Sequence, residues 1–333
     1  EPAYMIGGAF QKSNESCSMG GKNSKHVIYE GDEYNGAFFD RGPKFLQYNP
    51  TSAIITSIEH DHVDLYPSFE DYKQAFQFLI EELPNTGSLV IHESTLPYLD
   101  IKKCQAKIYT YGASSSCDAR YKIEKMTENF TVASFQIEGV KEEMRNLEIP
   151  LFGTYNMENA LAVTTLALGE GLTPDEVRGG LKSFQGTRER QELLGIRSDK
   201  TIVIRDYAHH PTAVTLTLGA LRQRFPSRRF IAIFEPRSAS SKRKVFEERY
   251  GESFKDSDVS IIISPETKLA NSSEEIDIEN IKKIINSHNR EAHTTKNFEE
   301  TLNLLLSITK PEDVVIFMSS GDLQGIPTKF VEL

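Results

Sequence analysis

The chain has 333 residues, of which 26% are charged and 38% hydrophobic, and its formal net charge is −10. That length exceeds one ordinary core and predicts two domains, while the acidic balance argues against nucleic acid or an anionic membrane as a partner. Cys17, Cys104 and Cys117 are odd in number and widely spaced, which argues against a disulfide framework or zinc knuckle and fits a reducing cytoplasm, and no apolar run reaches membrane-spanning length.

The opening, Glu1-Pro2-Ala3-Tyr4-Met5-Ile6-Gly7-Gly8, has no initiator Met and the texture of mid-domain sequence. It reads as part of a longer protein. A short strand, Val27-Ile28-Tyr29, runs into Glu30, Asp32 and Glu33, and a second, Ala53 to Ile58, runs into Glu59, His60, Asp61, His62 and Asp64. Ser68 begins a helix with Asp71 as its capping-box partner. That helix, Phe69 to Leu83, places Phe69, Tyr72, Phe76, Leu79, Ile80 and Leu83 on one face, and Pro84-Asn85-Thr86-Gly87 stops it. Strands follow at 89–91 and 107–111. Residues 120–150 alternate apolar and polar residues, as antiparallel strands do. Helices are expected at Asn156–Leu168 and Pro174–Ser183, the second capped by Thr173.

The polar stretch Phe184 to Gln191 is the expected domain junction, dividing residues 1–188 from 189–333. Beyond it βα alternation restarts, with strands at 201–204, 230–233, 259–263 and 314–317. Helices are expected between them, near 211–225, 240–254, 278–288 and 297–308. The fold class is therefore α/β throughout.

Ligands in open α/β sheets bind beyond the carboxyl ends of strands, and five segments there carry chemistry. Glu33 and His62, with neighbouring carboxylates, suit a divalent cation held between two strand ends; imidazole alone favours Zn or Mn. The plainer alternative is a solvated acidic loop. Asn156 and Asn159 share a face at a helix N-terminus, where two amides suit a phosphate or nucleotide, or merely cap the helix. Asp206, in Arg205-Asp206-Tyr207-Ala208-His209-His210-Pro211, suits a ribose, or a simple turn. Arg237, in Phe234-Glu235-Pro236-Arg237-Ser238, suits a carboxylate, or solvent. Ser319 and Ser320, before Gly321, allow close approach of a ligand to the backbone, or make a plain turn.

The order of these segments resembles the Mur ligases, the ATP-dependent ligases of peptidoglycan precursors. It runs Gly-Asp-Glu-Tyr, Glu-His-Asp-His, Tyr-Asn-x-x-Asn-Ala, Gly-Thr-Arg-x-Arg, Asp-Tyr-Ala-His-His-Pro, Glu-Pro-Arg-Ser, Ser-Ser-Gly. The resemblance spans Ile6-Gly7-Gly8 to the C-terminus and implies an incomplete central ATPase-type domain followed by a Rossmann-like C-terminal domain. It implies that Glu33 and His62 hold a catalytic Mg²⁺, which replaces the Zn or Mn preference. It further implies that Asn156, Asn159 and Arg190 contact ATP, that Asp206 meets its ribose, and that Arg237, Ser319 and Ser320 face the substrate. Asp32-Glu33-Tyr34 and Glu235-Pro236-Arg237-Ser238 resemble the murein peptide branch of the family. Its members join UDP-N-acetylmuramate to the recycled tripeptide L-alanyl-γ-D-glutamyl-meso-diaminopimelate. The branch that adds free L-alanine is the alternative.

No G-x-x-x-x-G-K-[ST] occurs in the chain, whereas the family carries that P-loop, and a UDP-binding domain, upstream of the matching segment. The expectation is that this stretch alone neither hydrolyses ATP nor ligates. Readings of other classes are a metal-dependent hydrolase built on Glu33 and His62, and a non-catalytic binding module.

Overall fold

The computed structural model describes residues 2–37, 40–60, 65–140, 144–238, 240–265 and 274–333. They form two compact units, Glu1–Gln185 and Gly186–Leu333.

The first unit opens with a small sheet in the order β2-β1-β3, formed by β1 (Ala3–Met5), β2 (Cys17–Ser18) and β3 (Val27–Tyr29). A two-stranded ribbon, β4 (Asn35–Ala37) and β5 (Asp40–Pro43), leads through the short helix α1 (Lys44–Gln47) to the main sheet. That sheet contains β6 (Ala53–Ile55), β7 (Ser88–His92), β8 (Lys107–Gly112), β9 (Ala119–Met126), β10 (Thr131–Ile137) and β11 (Met144–Ile149) in the order β11-β10-β9-β8-β7-β6. β6 through β9 pair in parallel, and β9 to β11 are antiparallel. The period-2 pattern of 120–150 thus marks where the sheet changes from crossover to hairpin connections.

Helix α2 (Phe69–Glu82) begins at Ser68, whose hydroxyl accepts from the Asp71 amide at 3.2 Å while the Asp71 carboxylate accepts from the Ser68 amide at 3.2 Å. Its buried face is Tyr72, Ala75, Phe76, Leu79 and Ile80, and each large apolar side chain so buried contributes about 1.5–3 kcal/mol. Leu83, held extended before Pro84, ends it. Helices α3 (Thr154–Gly169) and α4 (Pro174–Ser183) pack on the sheet through Met157, Leu161 and Val177.

The second unit is a six-stranded sheet ordered β12-β13-β17-β14-β15-β16, from β12 (Glu192–Ile196), β13 (Ile202–Asp206), β14 (Phe230–Phe234), β15 (Val259–Ile263), β16 (Glu291–Thr295) and β17 (Val314–Met318). Only β12 is antiparallel. Ile204, Phe234, Ile316 and Met318 face α5 (Pro211–Arg224), α6 (Glu247–Ser253) and α7 (Ile278–Ser287). Val203, Ile233, Val315 and Phe317 face α8 (Phe298–Ile308) and α9 (Ile326–Glu332). Strands covered on both faces read as continuous apolar runs, which is why the sequence showed β13, β14, β15 and β17. The edge strands are less buried and were missed: β12 is Glu-Leu-Leu-Gly-Ile, broken by Gly195, and β16 is the largely polar Glu-Ala-His-Thr-Thr.

The helix expected near 240–254 begins later than its pattern suggests. Ser238 and Ser241 lock a serine turn, with the Ser241 amide donating to the Ser238 hydroxyl at 3.0 Å, and α6 starts only at Glu247. No helix among the described residues is long and apolar enough to cross a membrane.

Replacing Ser68 with Ala removes one half of the capping box of α2 and is expected to cost about 1 kcal/mol. Urea unfolding followed by circular dichroism measures it, and an unchanged midpoint would show that the cap does not support the helix.

Candidate functional site

In the first unit the acidic segment after β3 is tied to the segment after β6 by two tyrosines. The Tyr66 hydroxyl donates to the Glu33 carbonyl at 2.7 Å and the Tyr72 hydroxyl to Glu33 Oε1 at 3.1 Å. His60 Nε2 lies 2.8 Å from the Tyr66 carbonyl, and its ring sits 6.1 Å from that of Tyr72. Burial, followed by the Glu33 and Asp32 charges, pushes the Tyr66 hydroxyl up to about 12, so it remains a donor at neutral pH. Asp32 is held by the Tyr34 amide at 2.7 Å and by Lys44 at 2.9 Å.

The sequence pattern suggested two strand ends sharing a cation. The structure places β3 and β6 in different sheets, and it is Tyr66 and Tyr72, not strand adjacency, that hold Glu33. Asp61, His62 and Asp64 lie outside the described residues. Among the described residues no three His, Cys, Asp or Glu side chains group as a cation site. Glu33 offers a half-buried carboxylate, a hard oxygen donor of the kind Mg²⁺ takes.

Helix α3 starts at Gly153 with φ 91°, a conformation that disfavours any side chain, and no side chain caps its first turn. Its first amides form the positive end of the helix dipole. The Asn156 amide donates to the Phe152 carbonyl at 2.8 Å and fixes that entry, while Asn159, three residues on, is exposed. Glu158 lies between them, 3.7 Å from His92 Nε2 at the end of β7 and 3.0 Å from the Tyr121 hydroxyl. Burial raises its pKa, but the His92 and Tyr121 hydrogen bonds outweigh that and hold it below the ordinary range. Sequence reasoning missed this pair, because nothing local joins residue 92 to 158.

In the second unit three segments remote in sequence meet. β17 lies between β13 and β14, parallel to both, so the carboxyl ends at Asp206, Met318 and Phe234 stand side by side. Arg237 lies over Gly321: a Cβ there would meet its Cδ, Nη1 and Nε, so a larger residue would push that side chain aside. Ser320 is half-exposed beside it. Ser319, expected at the substrate, is fully buried, and its hydroxyl donates to the buried Glu235 carboxylate at 2.6 Å. A buried carboxylate needs that donor, and Ser319 supplies it to Glu235.

Asp206, expected at a ribose, is tied to groups of its own unit. It is buried, Oδ2 accepts from the Gln191 amide at 2.8 Å, and Oδ1 accepts from the Ala208 amide at 2.8 Å and the Thr217 hydroxyl at 3.3 Å. Burial nevertheless raises its pKa above the ordinary value. Together with the Tyr207 amide, which donates to the Glu189 carbonyl at 2.6 Å, it fastens the junction segment to the end of β13. Between these ties stands Arg190, exposed, its guanidinium 5.1 Å from the Tyr207 ring centroid. The flanking residues are left-handed, Glu189 at φ 57° and Gln191 at φ 48°.

Two α/β units with acidic, amide and guanidinium groups at strand ends define an architecture shared with known ligases. Residues 13–167 match the Mur ligase middle domain and residues 189–321 the Mur ligase glutamate ligase domain. A UDP-N-acetylmuramate–L-alanine ligase of Lactobacillus delbrueckii subsp. bulgaricus is 32% identical over 320 residues, 96% of this chain and 68% of that protein. The enzyme of the same name from Aquifex aeolicus is 27% identical over 334 residues, 100% of this chain and 69% of that protein. Among solved structures, the UDP-N-acetylmuramate-alanine ligase of Thermotoga maritima superposes with TM-score 0.76 at 20% identity, covering 99% of this chain and 68% of that one. A murein peptide ligase of Psychrobacter arcticus superposes with TM-score 0.68 at 23% identity, covering 99% and 71%. These superpositions speak to fold. The chain belongs to the Mur ligase family, whose members are ATP-dependent amide ligases of peptidoglycan synthesis.

An Asn at position 206 accepts at only one atom and turns its NH₂ toward a backbone N–H. Asp206→Asn is therefore expected to cost about 1–3 kcal/mol, read from the urea midpoint of the second unit. Unchanged stability with weakened nucleotide binding would return Asp206 to the ribose.

Proposed function

We propose that the chain carries most of an ATP-dependent ligase that joins the lactyl carboxylate of UDP-N-acetylmuramate to the amine of L-alanine. The observation carrying this reading is the 32% identity to the Lactobacillus L-alanine ligase, continuous across both units. Free L-alanine thus comes ahead of the tripeptide that the motifs alone favoured.

A second reading keeps the same carboxylate and the same alanyl amine but takes the amine from L-alanyl-γ-D-glutamyl-meso-diaminopimelate. Specific residues favour it: Asp32-Glu33-Tyr34 and Glu235-Pro236-Arg237-Ser238 resemble the murein peptide versions. The exposed guanidinium of Arg237 also suits a carboxylate distant from the amine.

In either case the lactyl carboxylate is phosphorylated to an acyl phosphate, and the alanyl amine displaces phosphate to form the amide. Glu33 and His62 would hold Mg²⁺, which neutralises phosphoryl charge when bound. Asn156, Asn159 and Arg190 would orient the nucleotide, and Arg237 and Ser320 the amine substrate. The chain's contribution is placement and charge neutralisation.

Glu33→Gln in the intact enzyme keeps size and removes charge. It is expected to reduce kcat about a hundredfold or more with an unaltered melting curve, and retained ligation would remove Glu33 from the reaction. Ligation assays with L-alanine and with the tripeptide decide between the readings. Preferential use of L-alanine supports the first and preferential use of the tripeptide the second, while ATP-independent hydrolysis would refute both. In the tripeptide case Arg237→Lys should raise the tripeptide KM about ten- to a hundredfold, because an ammonium cannot reproduce the two-pronged contact. A raised ATP KM instead would move Arg237 to the nucleotide.

A further inference from the structure

Arg205 is the penultimate residue of β13 and only 3% exposed, after the buried apolar run Ile202, Val203 and Ile204. Its Nη1 donates to the carbonyls of Asp206 at 3.2 Å and Phe317 at 3.4 Å. Its Nη2 donates to the carbonyls of Ser319 at 3.0 Å and Gly321. Glu189, across the junction segment, lies 3.9 Å from Nη2, and Asp206, Glu235 and Asp322 are the other charges around it.

A buried guanidinium is costly, and an apolar side chain of similar volume is often as stabilising or more so. What an apolar side chain cannot supply is a rigid fork that takes several carbonyls at once. The carbonyls of Ser319 and Gly321 lie beyond Met318, the last residue of β17, where the ladder no longer provides donors. Arg205 takes their place and so sets the height of Gly321, on which Arg237 rests.

We propose that Arg205 is a positioning residue: it fixes the Ser319–Gly321 turn and thereby the guanidinium of Arg237 for the carboxylate of the amine substrate. This rests on the ligase reading above. It assigns Arg205 to the affinity for the acceptor and not to the nucleotide.

The test uses Arg205→Met and Arg205→Lys in the intact enzyme, with ATP, UDP-N-acetylmuramate and whichever of L-alanine or the tripeptide the unaltered enzyme ligates. The acceptor KM should rise about tenfold or more in Arg205→Met at unchanged ATP KM, with partial recovery in Arg205→Lys. An activity-independent readout is hydrogen exchange at the Gly321 amide, which donates to the Ser319 hydroxyl at 2.9 Å. It should quicken in both variants while Val315 and Ile316 stay protected. Unchanged exchange at Gly321, or acceptor and ATP KM values rising in proportion, overturns the proposal. Should the unaltered enzyme ligate neither acceptor, the ligase reading fails by itself, and Gly321 exchange still decides whether Arg205 holds the turn. If Arg205→Met does not fold, Arg205→Lys, which keeps the charge, carries both measurements.

Discussion

The parallel insertion of β17, the last strand in the chain, between β13 and β14 is the constraint on which the second unit depends. Parallel pairing aligns carboxyl ends, so residues 206, 235 and 319 become neighbours although more than 100 residues separate the first from the last. Hydrogen bonds then continue past the ladder: the Ser319 amide donates to the Asp206 carbonyl at 3.3 Å and the Glu235 amide to the Met318 carbonyl at 3.1 Å. The apolar residues of these strands, buried on both faces, leave no freedom of register, because a one-residue slip would exchange the two cores.

On that frame the polar groups divide into those that hold and those that face outward. Asp206, Ser319, Glu235 and Arg205 are buried, and their hydrogen bonds run to one another, to the backbone and, from Asp206, to Thr217. Arg190 and Arg237 are exposed and stand on what the buried set holds. The left-handed residues on both sides of Arg190 are sustained by the Asp206 and Tyr207 ties, a local strain kept because the surroundings determine it. In the first unit Tyr66 and Tyr72 do the corresponding work for Glu33, using the apolar face of α2 as their platform.

Whole-chain similarity and local motif differ over the acceptor, and both have a physical basis. Two readings that share a carboxylate and an alanyl amine demand the same catalytic placement. They differ only in what lies beyond the amine. Identity summed over both units favours free L-alanine, whereas the role proposed for Arg237, seated at Gly321, bears on the tripeptide.

The sequence by itself determined the α/β class, the four buried strands of the second unit, the hairpin strands of 120–150 and the family. Each is written in local periodicity or in the order of short motifs. It also pointed to the strand ends at which chemistry collects. It did not reveal that Ser319 and Asp206 are buried and hydrogen-bonded, because a hydroxyl or carboxylate in a polar turn looks the same whether it meets a ligand or a buried partner. It took Glu33 and the 59–64 segment for ends of neighbouring strands, and it passed over Arg205 and the His92–Glu158 pair. Those features depend on which strand lies beside which and on what is buried. Only the tertiary structure sets burial and strand order, since both arise from contacts between residues that no local pattern connects.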